Sequence, residues 1–257
     1  MPQHPELLLF FLSIAFIYAS VGFGGGSSYL AILSLYAFPF QQIRLVALVC
    51  NIIVVTGGTI LFIKKGQITW KKVLPIAAAS VPMAFLGATL KISEVVFFIV
   101  LGISLIIAAI LLWIKTKSNS SETEDATTIE KNFARDGFMG GSIGFLSGMV
   151  GIGGGIFLSP LLNLLKWDTA KRIAATASFF ILVNSISGIA GQLWKLPAEV
   201  DYVQIFLLGL AVLVGGQLGS RIGASRFNSL VIRRVTALLV FYAGIQVLIN
   251  HFPVVSN

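Results

Sequence analysis

The sequence predicts an all-α polytopic membrane protein made of two inverted repeats, each opening with a glycine-broken segment and continuing with three transmembrane helices. Three observations predict it. Hydrophobic residues make up 56% of the 257 positions and charged residues only 11%, against roughly a quarter charged in soluble domains. Gly22-Phe23-Gly24-Gly25-Gly26 interrupts an apolar run from Leu7 to Phe38, and Gly151-Ile152-Gly153-Gly154-Gly155 interrupts a second from Phe138 to Leu165. Third, the apolar segments after each break are laid out alike, as expected of a duplication.

Mean hydropathy is +0.93, and several runs reach the roughly 20 residues that cross a hydrocarbon core about 30 Å thick. After the first interrupted run come apolar segments at Leu45 to Ile63, Val73 to Leu90 and Val95 to Ile114. The polar stretch from Lys117 to Lys131 has no periodicity and little apolar mass, so it reads as a mobile surface linker. The second half continues with Ile173 to Leu193, Val203 to Ile222 and Leu230 to Ile249. Gly87 finds its counterpart in Gly219, and the predicted division is 1–116 first repeat, 117–135 cytoplasmic linker and 136–257 second repeat.

A net charge of +8 suggests nucleic acid in a soluble protein. Here the basic residues lie in short connections between apolar runs, so the expected partner is the lipid bilayer and no nucleic acid. If each interrupted run crosses once, Lys and Arg divide nine to nine and orient nothing. If each returns to its own side, as a re-entrant hairpin or as two short crossings, fifteen of the eighteen fall on one face: those in the connections Lys64 to Lys72, Lys115 to Arg135, Lys166 to Arg172 and Arg221 to Arg234. Arg44, Lys91 and Lys195 fall on the other. The positive-inside rule puts the fifteen in the cytoplasm and both termini outside, in a cell inner membrane. Two halves with odd net crossings in one chain are inverted, the plan of many secondary transporters.

The short helices that restart after each break, Ser27 to Ala37 and Ile156 to Leu165, offer unpaired N–H groups and the positive end of the helix dipole. Glycine lets a small anion approach that backbone, and Ser27 and Ser28 add hydroxyl donors. The other reading of the glycines is helix packing, which suits the spacing of Gly137, Gly140, Gly141, Gly144 and Gly148. Thr176 and Ser178, like Thr56 and Thr59, are either interhelical hydrogen bonds or a polar lining. Asn51 and Asn184 are amides in apolar surroundings and need partners. Cys50, beside Asn51, is either a contact for a sulfur-containing substrate or a small hydrophobe.

No Asp or Glu lies at the centre of an apolar segment, no phosphate-binding loop is present, and the single cysteine excludes an intrachain disulfide. No cofactor and no metal are expected. An enzyme would need a nucleophile and a base in one cavity, and the interior lacks His, Asp and Glu; a structural or assembly subunit is the remaining alternative.

The two glycine motifs, extended through Gly-Ile-Gly-Gly-Gly-Ile-Phe-Leu-Ser-Pro at Gly151 to Pro160, together with Lys-Arg-Ile-Ala-Ala-Thr-Ala-Ser at Lys171 to Ser178, resemble the TauE/SafE sulfite-exporter-like family of bacterial membrane transporters. The resemblance covers nearly the whole chain. It implies transport of a small sulfur-containing anion, such as sulfite, sulfoacetate or another organosulfonate. It places Gly22, Gly24, Gly25, Gly26, Gly151, Gly153, Gly154 and Gly155 at the site. Homo-oligomers are compatible with it. Pro160 in the second motif is matched by Ala31 in the first, so the half-sites are expected to be unequal.

The charge division is testable by labelling. With Cys50→Ser as background, Ser121→Cys is expected to resist a membrane-impermeant thiol reagent in intact cells and to react in inverted vesicles. Ready labelling from outside overturns the inverted plan.

Overall fold

Helix ends follow local chemistry. Thr169 and Asp201 precede α-helices and accept from the N–H groups of Arg172 (3.4 Å) and Gln204 (2.9 Å), and Ser93 does the same for Val96 (3.3 Å), as N-caps do. Gly66, at φ 63°, ends the helix before it. The computed structural model describes residues 4–20, 22–36, 38–116, 133–165, 167–193, 201–226 and 229–251. Ten helices run through them: α1 (Glu6–Ala19), α2 (Gly26–Leu35), α3 (Phe40–Lys64), α4 (Trp70–Thr89), α5 (Glu94–Thr116), α6 (Phe133–Val150), α7 (Gly155–Leu164), α8 (Ala170–Gln192), α9 (Tyr202–Arg226) and α10 (Ser229–His251). The polar linker, Lys166 and Lys195 lie outside the described residues.

Among the described residues α3, α4, α5, α8 and α9 are long and apolar enough to cross a membrane. Their outward faces carry large apolar side chains, among them Leu86, Ile103, Ile107, Phe206 and Leu218. An apolar exterior of this extent suits lipid, not water.

The interrupted runs are hairpins. Along α1 and α2 the contacts are nested: the His4 ring lies 4.8 Å from that of Tyr36, Phe11 stacks on Tyr29 at 4.6 Å, and the Tyr18 hydroxyl is 2.7 Å from that of Ser28. With 14 residues, α1 rises about 21 Å, short of a hydrocarbon core about 30 Å thick. The second hairpin is closed at its base by the Trp167 indole N–H, 3.5 Å from the Asp136 carboxylate.

Small residues hold each hairpin to a long helix. On α6, Gly140, Gly144 and Gly148 lie against the carbonyls of Ile76, Ser80 and Ala84 on α4, every fourth residue on both sides, so the two helices run parallel. In the same way Gly215 and Gly219 of α9 lie against the carbonyls of Leu12 and Phe16 on α1. Gly87, the counterpart of Gly219, meets the Phe145 carbonyl. Gly137 and Gly141 are off this seam, 3.6 to 4.0 Å from α4 atoms. Exchanging α1–α5 with α6–α10 maps these pairings onto one another: α1 with α9 becomes α6 with α4, and α2 with α10 becomes α7 with α5. The central pair, α3 and α8, is antiparallel, Leu48 meeting Gly188 and Thr59 meeting Ser178.

One end of the molecule gathers charge. Asp168, its carboxylate nearly fully buried, pairs with Lys72 at 3.0 Å and Arg172 at 3.6 Å, and the Lys72 ammonium lies 5.2 Å from the Trp167 ring centre. Arg135 pairs with Asp136 at 3.1 Å. The start of α4, both legs of the second hairpin and the start of α8 therefore meet at one face. Lys71, Lys72, Arg135, Lys171 and Arg172 are all on these segments.

The seam can be probed with one methyl group. Gly148→Ala drives a Cβ into the Ala84 carbonyl and is expected to destabilise the folded protein by about 1–3 kcal/mol, read as a lower midpoint in detergent unfolding. Gly137→Ala, with only the Ala79 methyl 4.0 Å away, is expected to be tolerated.

Candidate functional site

Each break is a reversal that only glycine makes easily. Gly25 (φ 87°) and Gly154 (φ 78°) are the N-cap residues of α2 and α7, both left-handed, a conformation β-branched residues resist. Their carbonyls do the same work: Gly25 accepts from the N–H groups of Ser28 and Tyr29, and Gly154 from those of Phe157 and Leu158. Neither helix start is capped by a side chain. The N–H groups of Gly26, Ser27, Gly155 and Ile156 find no backbone partner among the described residues. These are the donors that a helix start leaves unpaired.

Asn51 joins the two breaks. It sits near the middle of α3, fully buried, and its amide Nδ2 donates to the Ile152 carbonyl at 2.9 Å. A carbonyl only accepts, so the amide orientation is set and Oδ1 points away, without a partner. The same amide lies where a Cβ on Gly24 or Gly26 would have to go, and one on Gly153 would be 2.7 Å from Nδ2. Glycine at these three positions admits the side chain between the breaks.

The other residues singled out from sequence divide by location. Gly25 faces into its own hairpin, against Tyr29 and Ile14, and Gly154 faces Ile143 and Ser147 of its hairpin and Phe180 of α8. Gly155 faces Ile181. Ser28 and Ser27 lie 2.7 and 3.5 Å from the Tyr18 hydroxyl. Cys50 is a buried free thiol in the apolar core. Thr176 donates back to the Arg172 carbonyl at 2.8 Å, and Ser178 bonds Thr59 at 2.9 Å across the α3–α8 seam. Asn184 also bonds within its own helix, to the Phe180 carbonyl at 2.8 Å. Among the described residues no group of three or more His, Cys, Asp or Glu could hold a metal.

The charge count places Arg44 on the face opposite the fifteen basic residues, and the fold buries it. It is 5% exposed, and its Nη2 donates to the Gly148 carbonyl at 3.0 Å and the Ala88 carbonyl at 3.5 Å. Its stem packs on Gly151, at 3.2 to 3.3 Å from the position of an added Cβ. Gly22, in the equivalent place of the first break, instead meets Ala174. The half-sites are therefore unequal through α3 and α8: Arg44 and Asn51 from α3 touch the breaks where α8 supplies Ala174 and Ile181. The spacing of seven between Arg44 and Asn51, which puts both on one helix face, is the signal in the sequence that pairs them.

Two short hairpins meeting inside a bundle of membrane-spanning helices define a multi-pass membrane transporter, and comparison with known proteins agrees. The chain belongs to the sulfite exporter TauE/SafE family, whose model matches residues 7–247. It is similar to the probable membrane transporter protein y4hK of Sinorhizobium fredii, 33% identical over 244 residues that cover 94% of this chain and 97% of that one. It also resembles the probable membrane transporter proteins YunE and YdhB of Bacillus subtilis, 26% and 24% identical over 88% and 91% of the chain and 92% and 94% of theirs. No solved structure matches.

Asn51→Leu keeps the bulk and removes the donor to Ile152. Leaving a buried carbonyl unpaired costs about 1–3 kcal/mol, so a lower thermal midpoint is expected for purified Asn51→Leu. A midpoint equal to wild type removes Asn51 as the tie between the breaks.

Proposed function

We propose that the protein is a secondary transporter or facilitator of a small anion, with a sulfur-containing anion such as sulfite or an organosulfonate as substrate. The observation that carries this reading is the pair of uncapped helix starts, Gly26–Ser27 and Gly155–Ile156, brought together across Asn51. Oriented N–H groups away from water bind anions without a charged partner. Sulfur in the substrate rests on the family's name alone. The site comprises Gly22, Gly24, Gly25, Gly26, Ser27, Ser28, Cys50 and Asn51 from the first half, and Gly151, Gly153, Gly154, Gly155, Thr176 and Ser178 from the second.

The two halves, 1–116 and 136–257, act as inverted repeats around the site. The antiparallel α3–α8 pair and the exchange of helix pairings between halves support this. Hairpins that return to their own side leave an odd number of crossings per half, which supports a basic face in the cytoplasm, both termini outside and residence in the inner membrane. With no carboxylate beside the breaks among the described residues, the membrane potential, worth about 2.3 kcal/mol per charge per 100 mV, suffices to drive an anion out of a negative-inside cell.

Sulfite release from liposomes containing only this protein tests the reading. Release is expected to exceed that of empty liposomes and to rise with an imposed inside-negative potential at fixed pH. Release that follows a pH gradient and ignores the potential points to proton-coupled, electroneutral exchange. No release with any of sulfite, sulfoacetate and thiosulfate favours an assembly subunit.

A further inference from the structure

We infer that Arg44 is the fixed positive charge of the anion site, and that a small oxyanion binds its unpaired Nε–H where the second break begins. The inference rests on the anion-transport reading and names the residue that makes the site select for charge. Burying a cation in a membrane segment is expensive, and such residues usually line a substrate path. Ion pairs join Lys72, Arg135 and Arg172 to Asp168 and Asp136, and none among the described residues includes Arg44. A guanidinium has five N–H donors. Arg44 uses Nη2 for two carbonyls, and its buried Nε has no partner.

A capping role explains only part of this. The two carbonyls belong to the last turns of α4 and α6, whose negative dipole ends favour a cation. The equivalent turn of the first half, however, closes over Ala174 against Gly22. The hairpin geometry therefore does not require a guanidinium at this place. Arg44 also precedes Asn51 by two helical turns on the same face of α3, about 10 Å along the axis. Its stem lies on Gly151, where the second break begins, four residues before the uncapped start of α7. With Nη2 held by the two carbonyls, Nε offers an oxygen of a sulfite, sulfonate or carboxylate group one charge-assisted N–H, and the charge repels cations that the helix starts alone would only fail to attract.

The test compares wild type, Arg44→Gln and Arg44→Lys, purified and monodisperse, for stabilisation by sulfite on heating and for sulfite flux in liposomes. Glutamine keeps a donor for the two carbonyls and loses the charge. Sulfite affinity is expected to fall on the order of tenfold or more in Arg44→Gln, with the unliganded midpoint changed far less, and to be partly restored in Arg44→Lys. An unchanged affinity in Arg44→Gln overturns the role of Arg44 while leaving the transport reading intact. Wild-type protein that neither binds nor moves sulfite, sulfoacetate or thiosulfate overturns the reading beneath it. If Arg44→Gln does not accumulate, Arg44→Lys decides: weaker binding by folded protein supports the inference, and wild-type affinity with a lowered midpoint assigns Arg44 to capping alone.

Discussion

Stopping a helix inside hydrocarbon frees backbone groups that must find partners within the protein, and this chain does so twice. Both breaks solve the problem in the same way. A left-handed glycine turns the chain, its carbonyl accepts two N–H groups of the next helix, and the reversed hairpin is sheltered by longer helices. The Asn51 amide supplies the partner for Ile152. What remains unpaired is a small set of N–H donors at each helix start, and in a dry site such donors are an anion's natural contact. The same constraint that forbids loose backbone in a membrane thus gathers the unpaired donors at the breaks.

Close packing keeps the hairpins in place. Carbonyls of α4 meet glycines of α6, and carbonyls of α1 meet glycines of α9, with no room for a methyl group. Helices gain nothing from hydrophobic association when lipid is equally apolar, so contact of this closeness is what holds them. Each hairpin is thereby tied to a long helix of the opposite half. Any rearrangement that opens one break therefore carries a helix of the other half with it.

The halves share a frame and differ in chemistry. Where α8 presents Ala174 and Ile181 to the breaks, α3 presents Arg44 and Asn51. The two central helices therefore bring unequal polar groups to the breaks: an amide and a guanidinium from α3, and the Ser185 hydroxyl, beside Gly153, from α8. The two turns are alike, and the difference between the half-sites lies in the central helices.

Much of the architecture was legible in the sequence. The apolar runs, the two glycine breaks and the match of Gly87 with Gly219 depend on composition and spacing, which local physics reads directly: helices start at Gly26 and Gly155, one residue before the expected Ser27 and Ile156. The charge count favoured runs that return to their own side, and nested contacts from His4–Tyr36 to Tyr18–Ser28 make the first a hairpin. The Pro160 and Ala31 difference signalled unequal halves, while the inequality seen at the breaks lies in α3 and α8. Which glycines clear room for Asn51, which pack on a neighbouring helix, and that Arg44 lies against Gly151 were decided by tertiary structure alone. Each depends on residues far apart in the chain, Asn51 with Ile152 and Arg44 with Gly148 by about a hundred positions, and periodicity along one helix carries no information about what another helix brings to it.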